Sequence, residues 1–166
     1  MKTIRFLTLI LCFSLVVSCK KGTNQGTDNK PPSTSDINQS LLLQLVNDVR
    51  TKGCSCGATN MPPVTVIEWN DLLKKAADQH SLEMNSNKYF SHTGLNGSTP
   101  GDRISQEGYI WTWYGENIAY NYPDESTVME GWLNSEGHCK NIMNPDFKEM
   151  GVSKEGLYWT QVFGSR

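Results

Sequence analysis

The stretch that decides the fold is Gly131-Trp132-Leu133-Asn134-Ser135-Glu136-Gly137-His138-Cys139-Lys140-Asn141-Ile142-Met143-Asn144-Pro145. It combines a tryptophan suited to a core with an acid, a histidine, a cysteine and several small turn residues. Ser135 can cap a new helical turn that leaves the imidazole of His138 at its open end. Because an imidazole titrates near neutral pH, it can bind a metal ion or carry a proton. We therefore look for a functional site around this stretch.

The chain has three histidines, which differ in their sequence surroundings. His92 and His138 lie in turn-rich segments, which favours a role in a site. His80 falls on the apolar face of a helix that begins at Asn70-Asp71. The other residues of that face are Leu72, Leu73, Ala76 and Met84. We interpret His80 as a packed, hydrogen-bonded helix residue rather than a ligand.

The N-terminus has the pattern of a secretory signal. Lys2 and Arg5 precede an apolar run, Phe6 to Val17, whose twelve residues are too few to span a bilayer. Its end, Val16-Val17-Ser18-Cys19, resembles a bacterial lipoprotein signal, in which cleavage precedes the cysteine and that cysteine is lipidated. The alternative is an ordinary secretory signal followed by a chance cysteine. Either reading predicts an extracytoplasmic protein in a compartment that permits disulfides.

Three regions follow from this pattern: a lipoprotein signal peptide over residues 1–18, a flexible tether over 19–34 and one domain over 35–166. The tether carries no apolar side chain larger than proline and cannot contribute to a core.

Removing residues 1–18 takes away two basic residues and no acid, so the formal charge changes from −2 to −4. This mild negative charge gives no support for a nucleic-acid partner.

The domain alternates helical and extended patterns. Apolar residues recur every four positions from Ile37 to Val49, which predicts a helix capped by Ser35-Asp36 and ended by Gly53. Further elements are a loop at 54–63, a short extended segment over 64–69, the helix from Asn70, a short helix from Thr99-Pro100, a strand within 111–122, a helix from Pro123-Asp124 and a hairpin over 149–163. An α+β fold with helices on both sides of a small, mainly antiparallel sheet would bury these faces.

Four motifs occur in the order seen in the CAP superfamily, which groups cysteine-rich secretory proteins, antigen 5 and pathogenesis-related 1 proteins and is also called SCP-like. They are Phe90-Ser91-His92, Gly115-Glu116-Asn117-Ile118, Trp132 to Asn144, and Tyr158 to Phe163. Val46-Asn47-x-x-Arg50 resembles the family's opening. The resemblance covers residues 38–164 and implies a three-layer α-β-α sandwich.

The resemblance also implies a cleft with two histidines and usually two acids. His92 matches the first histidine, Glu116 the acid of the Gly-Glu-Asn motif, and His138 the second histidine. Ser135 stands where longer members place the second acid, and Glu136 is its neighbour, so we include both in the expected cleft. In several members the two histidines bind a divalent ion.

Zinc or another divalent cation suits two neutral imidazoles, with water completing the coordination. Glu116 could orient an imidazole through its second nitrogen or deprotonate the water. The alternative is a hydrogen-bonded polar cluster without metal.

Separately, Trp111, Trp113 and Tyr114 could form a sugar-stacking platform, although such aromatic residues more often belong to the core of a small domain.

Without Cys12 in the signal and the lipidated Cys19, three cysteines remain: Cys54, Cys56 and Cys139. The resemblance implies a disulfide between Cys56 and Cys139, with Cys54 as a spare thiol. A Cys54–Cys139 bond is the alternative pairing. A structural zinc held by the three cysteines and His138 is a third arrangement, but its ligand spacing is unusual.

Three functional hypotheses remain. The first is a noncatalytic binding module, anchored in the cell envelope through lipidated Cys19, whose cleft holds a divalent ion and receives a lipid, glycan or peptide. The second is a hydrolase that uses a metal-bound water with Glu116 as its base. The third is a structural envelope component. We favour the first, because the sequence contains no His-Glu-x-x-His, Gly-x-Ser-x-Gly or Walker motif.

The lipoprotein signal predicts that Cys19→Ala releases the protein from membranes or blocks its processing. The measurement is membrane fractionation with intact mass analysis of the wild-type and variant proteins. A wild-type protein that fractionates as soluble and carries no acyl mass would contradict the anchoring.

Overall fold

The computed structural model describes residues 37–166, which form five α-helices and six short strands. The predicted signal peptide, the tether, Cys19 and the Ser35-Asp36 cap lie outside these residues. The elements are α1 (Gln39–Lys52), β1 (Cys54–Cys56), β2 (Thr59–Met61), β3 (Glu68–Trp69), α2 (Asp71–Asn87), α3 (Pro100–Gln106), β4 (Trp113–Tyr120), α4 (Glu125–Leu133), α5 (Glu136–Ile142), β5 (Glu149–Glu155) and β6 (Tyr158–Ser165). None of the described helices is long and apolar enough to cross a membrane.

The main sheet has four strands in the order β3-β5-β6-β4. β5 and β6 form the predicted hairpin, and β4 pairs antiparallel with the other edge of β6. Only the two-residue strand β3 runs parallel, alongside β5. The sheet is therefore mainly antiparallel, as the sequence indicates. The segment predicted as a loop after α1 instead contains a second small sheet, the β1–β2 hairpin.

Helices cover both faces of the main sheet because side chains of β6 alternate between two cores. Trp159 and Phe163 pack with residues of α1, α4 and α5. Val162 faces the opposite side and packs with α2 and α3. Thr160 lies on that second side, where its hydroxyl accepts a 2.9 Å hydrogen bond from Ser81 of α2. These two cores give the predicted α-β-α layering.

Side-chain caps set the starts of four of the five described helices, α1 to α4. Three predicted caps are present: Asn70, Thr99 and Asp124. The start of α1 differs from the prediction, because Asn38 is its cap and accepts a 3.0 Å hydrogen bond from the amide of Leu41. The apolar repeat begins at Ile37, directly before this cap, so it runs only slightly past the N-terminal end of the helix. Gly53 ends α1 as predicted, at a φ of 77°.

Helix α2 lies directly against strand β5 at Gly151. A Cβ at this position would lie 2.1 Å from the backbone nitrogen of Lys74 and 2.5 Å from the carbonyl carbon of Leu73. Any other residue would therefore push the helix off the sheet. Because α2 carries His80, this close approach also determines how deeply the His80 imidazole is buried.

Arg50 of α1 is fully buried and donates hydrogen bonds to four backbone carbonyls. Its Nε donates to the carbonyl of Thr65 at 2.8 Å. Nη1 donates to Ile142 and Asn144, at 2.7 and 3.0 Å, and Nη2 to Phe147 at 3.0 Å. Burial lowers the pKa of Arg50 to about 10, so the group is still charged at neutral pH. Four charge-assisted hydrogen bonds compensate for its lost hydration.

We predict that Arg50→Met destabilises the domain by about 3 kcal/mol or more, because it leaves buried carbonyl oxygens without a donor. The measurement is urea unfolding followed by tryptophan fluorescence. Lys52→Met, two residues further along α1 and exposed, is the matched control and should change stability by less than about 0.5 kcal/mol. Equal unfolding midpoints for Arg50→Met and the wild type would contradict this role.

Candidate functional site

The candidate site is built around the carboxylate of Glu116 in β4. Its side chain is only 2% exposed, and both oxygens have partners. Oε2 accepts a 2.7 Å bond from Nη2 of Arg103, and Oε1 accepts a 2.8 Å bond from Nδ1 of His92. A buried carboxylate needs a compensating cation, and Arg103 supplies it. Glu116 is thus a fixed acceptor for His92.

Arg103 orders the loop that carries His92 as well as the carboxylate. It projects from α3, which begins at the capping box of Thr99 and Asp102. Nη2 also donates to the carbonyl of His92 at 3.0 Å, and Nη1 donates to that of Ser98 at 3.2 Å. Our sequence analysis missed Arg103, since one arginine in a short helix carries no motif. The only signal was the predicted start of that helix, one turn before it.

The contact with Glu116 defines the tautomer of His92. A carboxylate only accepts hydrogen bonds, so Nδ1 of the neutral imidazole carries the proton and donates it. Nε2 then carries the free lone pair. The His92 side chain is 52% exposed. An imidazole oriented by a carboxylate, with its other nitrogen accessible, is the usual arrangement of a histidine metal ligand.

His80 lies beneath this pair and is fully buried in α2, which confirms that it is a packed helix residue. Its Nε2 lies 2.8 Å from the carbonyl oxygen of Ser91, the residue before His92. Nε2 is also 4.0 Å from Oε1 of Glu116. Burial is the main cause that lowers the pKa of His80, and the charge of Glu116 only partly opposes it. His80 therefore acts as a neutral donor that holds the His92 loop from below.

His138 is the second histidine of the site and lies in the first turns of α5. Its pKa is lowered, first by burial and second by the charge of His92. The backbone of His138 lies beside β4, since its carbonyl accepts a 3.2 Å hydrogen bond from Asn117, the residue after Glu116. At neutral pH His138 is neutral, and its ring has a lone pair for a ligand. Ser135 occupies the cap position of α5, but its side chain makes no capping hydrogen bond.

An amide network fixes α5 against β4. Asn141 of α5 donates to the carbonyl of Glu116 at 3.2 Å and to the side chain of Asn117 at 2.9 Å. Asn117 donates in turn to the carbonyl of His138 at 3.2 Å and to Gln161 at 3.0 Å. The strand that carries Glu116 and the helix that carries His138 thus share buried hydrogen bonds. Our sequence analysis quoted these residues without assigning them a positioning role.

A groove of about 310 Å³ adjoins His138. It is lined by aromatic side chains together with small and polar residues: Phe90, Ile118, Ala119, Tyr120, Tyr122, Gly131, Trp132, Ser135 and His138. Two of its rings are unusually accessible, since Phe90 is 52% and Tyr120 46% exposed. Ser135, at the position of the second acid in longer relatives, therefore faces the groove with a hydroxyl and not a carboxylate.

Glu136, which we expected in the cleft, has other partners. Its Oε1 forms an ion pair with Nζ of Lys140 at 2.5 Å, one turn along α5. A Cβ at Gly57 would lie 2.7 Å from its Oε2, which places the carboxylate against the β1–β2 hairpin. The side chain after the cap turns toward the hairpin because adjacent helical residues point about 100° apart. Glu136 therefore does not replace the missing second acid.

Of the aromatic residues Trp111, Trp113 and Tyr114, Tyr114 is partly buried and packs against the core of α2 and α3, as we favoured from composition, whereas the two tryptophans are exposed. Trp113 is 60% exposed, and Trp111 is 37% exposed with its indole nitrogen donating to Ser105 at 3.0 Å. Trp111 and Tyr114 pack edge to face with ring centres 4.6 Å apart. These rings lie around the start of β4, which is an edge strand of the sheet. Other residues therefore cover only part of their surface.

The cysteines form a separate cluster between the β1–β2 hairpin and α5. Cys56 and Cys139 form the disulfide that the family resemblance implies. Cys54 is a free thiol, with its Sγ 3.7 Å from that of Cys139 and 3.9 Å from that of Cys56. Within residues 37–166, these three are the one group of three metal-ligating side chains whose donor atoms converge within 4.8 Å. Any ion held at the histidines would need water or ligand atoms to complete its coordination.

Comparisons with known proteins agree with this geometry. The model of the cysteine-rich secretory protein family, CAP, matches residues 43–163. An uncharacterized membrane protein of Bacillus subtilis is 36% identical over 141 residues, which cover 84% of this chain and 38% of that protein. A second uncharacterized protein of B. subtilis is 32% identical, over 82% of this chain and 51% of that protein. The chain thus spans about half or less of the length of these two relatives.

Solved structures give the same fold. An extracellular protein of Bacillus anthracis that contains an SCP domain superposes with a TM-score of 0.69 at 31% identity, over 76% of this chain and 40% of that one. An outer surface protein of Borrelia burgdorferi superposes with a TM-score of 0.66 at 23% identity, over 76% of this chain and 91% of that one. The four motifs, the layered fold and the family match together establish that the chain belongs to the CAP family of cysteine-rich secretory proteins.

Proposed function

We propose that this CAP-domain protein is a noncatalytic binding module, anchored in the cell envelope through lipidated Cys19. In this proposal His92 and His138 hold a divalent cation, and the adjoining groove receives a lipid, glycan or peptide. The observation that carries the proposal is the 2.8 Å bond between Nδ1 of His92 and the buried Glu116, which leaves Nε2 free as a ligand atom. Neither of the carboxylate's partners would have to move when an ion binds.

The donor set fits a borderline divalent cation such as zinc. Neutral imidazole is a preferred ligand of zinc, copper and nickel, whereas calcium and magnesium require several oxygen ligands. His138 is kept neutral by burial, and His92 is oriented by its carboxylate. When bound, the cation would supply positive charge at the end of the groove. His92 and His138 would hold it there, with Glu116 acting through His92.

The groove supports a ligand with an apolar or ring-shaped part and a polar end. Exposed aromatic rings such as Phe90 and Tyr120 offer flat surfaces that pack against acyl chains, sugar rings or peptide side chains. His138 and Ser135 provide polar atoms in the lining of the same groove. A concave, mainly apolar site with a few polar groups is typical of small-molecule binding.

The geometry favours binding over hydrolysis. A general base must reach the proton that it abstracts, directly or through one water. Glu116 is almost fully buried, and its two oxygens are engaged by Arg103 and His92. A positioning role therefore suits Glu116 better than the role of base in the hydrolase hypothesis.

The proposed location is supported by both the sequence and the relatives. The Val16-Val17-Ser18-Cys19 pattern predicts lipidation, and the similar proteins include an extracellular protein of B. anthracis, an outer surface protein of B. burgdorferi and a membrane protein of B. subtilis.

We predict that the wild-type protein binds zinc and that the double variant His92→Ala/His138→Ala does not, while keeping its far-ultraviolet circular dichroism. Isothermal titration calorimetry measures the affinity. Glu116→Gln should weaken binding about 10- to 100-fold, as is typical when the group that orients a ligand histidine is changed. Glu136→Gln is the matched control and should bind like the wild type, since Glu136 pairs with Lys140 instead.

All titrations are repeated with Cys54→Ser, so that zinc bound to the free thiol is not counted as binding at the histidines. Zinc affinity that is unchanged in the double histidine variant on this background would contradict the proposed ion site.

A further inference from the structure

Three sulfur atoms lie together at the base of α5. The free thiol of Cys54 is almost equally distant from the two bonded sulfurs, at 3.7 Å from Cys139 and 3.9 Å from Cys56. The distances are close to van der Waals contact between sulfur atoms. A third cysteine is not needed for the disulfide, so its position against the bond needs an explanation.

The convergence follows from the secondary structure. Cys54 and Cys56 are two residues apart on strand β1, so their side chains point to the same face of the hairpin. That face is covered by α5, which presents the fully buried Cys139. The surrounding residues are apolar: Val49, Met61, Val64, Leu133 and Met143. Within this pocket Cys139 has two possible partners on the same strand.

We propose that the cluster is an intramolecular thiol–disulfide exchange site in which Cys54 and Cys56 compete for Cys139. The Cys54 thiolate attacks Sγ of Cys139 and forms the Cys54–Cys139 bond. The Cys56–Cys139 bond breaks, and Cys56 leaves as a thiolate that takes up the proton lost by Cys54. One disulfide and one thiol are present before and after, so the reaction needs no oxidant or reductant. The reverse step restores the original pairing.

Loop closure does not decide between the two pairings. The closed loops differ by two residues, with separations of 83 and 85, and the chain-entropy difference between them is negligible. Packing decides instead, because Cys56 is fully buried whereas Cys54 is partly exposed. The resting state therefore pairs Cys56 and leaves the more accessible cysteine as the thiol.

The resting geometry also slows the exchange. A displacing thiolate approaches along the extension of the S–S bond, whereas Cys54 lies beside the bond, nearly equidistant from its two ends. Its side chain must rotate before it can react. Burial raises the pKa of the Cys54 thiol, which reduces the thiolate fraction at neutral pH. The Cys54 sulfur is therefore already in contact with the disulfide, but the exchange reaction is slow.

The exchange would act on the part of the molecule that carries the second histidine. Cys139 directly follows His138, and successive same-face residues of a strand lie about 7 Å apart. When the bond moves from Cys56 to Cys54, the point at which α5 is bonded to the hairpin changes by that distance. Either α5 moves along the hairpin, or the cysteine side chains rotate so that it can stay in place. The inference is independent of the proposed ion binding, because it concerns only the sulfurs.

The test uses the full-length chain with Cys12→Ser and Cys19→Ser in every sample, so that only Cys54, Cys56 and Cys139 can pair. The protein is reduced, freed of reductant and reoxidised rapidly, and samples are quenched with acid over minutes to hours. Trypsin places Cys54 and Cys56 on one peptide, residues 53–74, and Cys139 on another, residues 104–140. After alkylation of free thiols, fragment ions that cleave between Cys54 and Cys56 identify which one carries the label. We expect both pairings at early times and then first-order conversion to Cys56–Cys139, without added thiol and at a rate independent of protein concentration.

Two variants provide matched controls. Cys56→Ser should form the Cys54–Cys139 bond quantitatively with a far-ultraviolet spectrum like that of the wild type. Cys54→Ser should form only Cys56–Cys139 at all times. The proposal would be overturned if Cys56→Ser keeps two free thiols on oxidation. It would also fail if the wild type forms a single pairing from the earliest sample, or if an initial mixture changes only after an external thiol is added.

Discussion

The buried ion pair between Arg103 and Glu116 is the interaction on which the site depends. A carboxylate that is 2% exposed is tolerated only with a cation and hydrogen bonds around it. Arg103 occupies one oxygen at 2.7 Å and leaves the other to His92. The same guanidinium holds the carbonyls of His92 and Ser98, so helix α3, strand β4 and the histidine loop are fixed by one side chain. The pairing of these two buried charges therefore also fixes the positions of the site residues.

Helix α5 carries the other half of the site and is held at three places. Asn117 bonds to the carbonyl of His138 near its start, and the disulfide fixes Cys139 to the hairpin. At its far end the carbonyl of Ile142 accepts from the buried Arg50. The same contacts therefore stabilise the core and position the second histidine. Changes that loosen α5 are therefore expected to affect stability and the position of the second histidine together.

Much of the fold could be predicted from local chemistry. Caps at Asn70 and Thr99, the glycine after α1 and the turn residues Glu155-Gly156, where β5 leads into β6, are signals carried by neighbouring residues. The helices on both faces of a mainly antiparallel sheet were predicted from the pattern of elements, and the family resemblance implied the same layering. The strand order β3-β5-β6-β4 was not predicted, because the partners of β3 and β4 are distant in sequence. The β1–β2 hairpin was missed because its three-residue strands are too short to show a period.

Site residues were predictable only where a motif marks them. The motifs pointed to His92, Glu116 and His138, but the partners that give Glu116 its role come from separate segments without a pattern. Arg103 lies 13 residues before Glu116, and its side chain meets the carboxylate only after α3 packs against β4. Glu136 was misplaced for a related reason: neighbours in sequence on a helix point in different directions, which a linear motif does not reveal.

The central claim is that Glu116 acts by fixing the tautomer of His92. The most direct measurement is a long-range ¹H–¹⁵N correlation spectrum of the histidine side chains in ¹⁵N-labelled protein at about pH 8, assigned with the His80→Gln, His92→Ala and His138→Ala variants. We expect His92 to carry its proton on Nδ1, with a pyridine-type resonance for Nε2, and we expect Glu116→Gln to abolish this preference. A His92 ring protonated on Nε2, or one that averages between tautomers in the wild type, would contradict it.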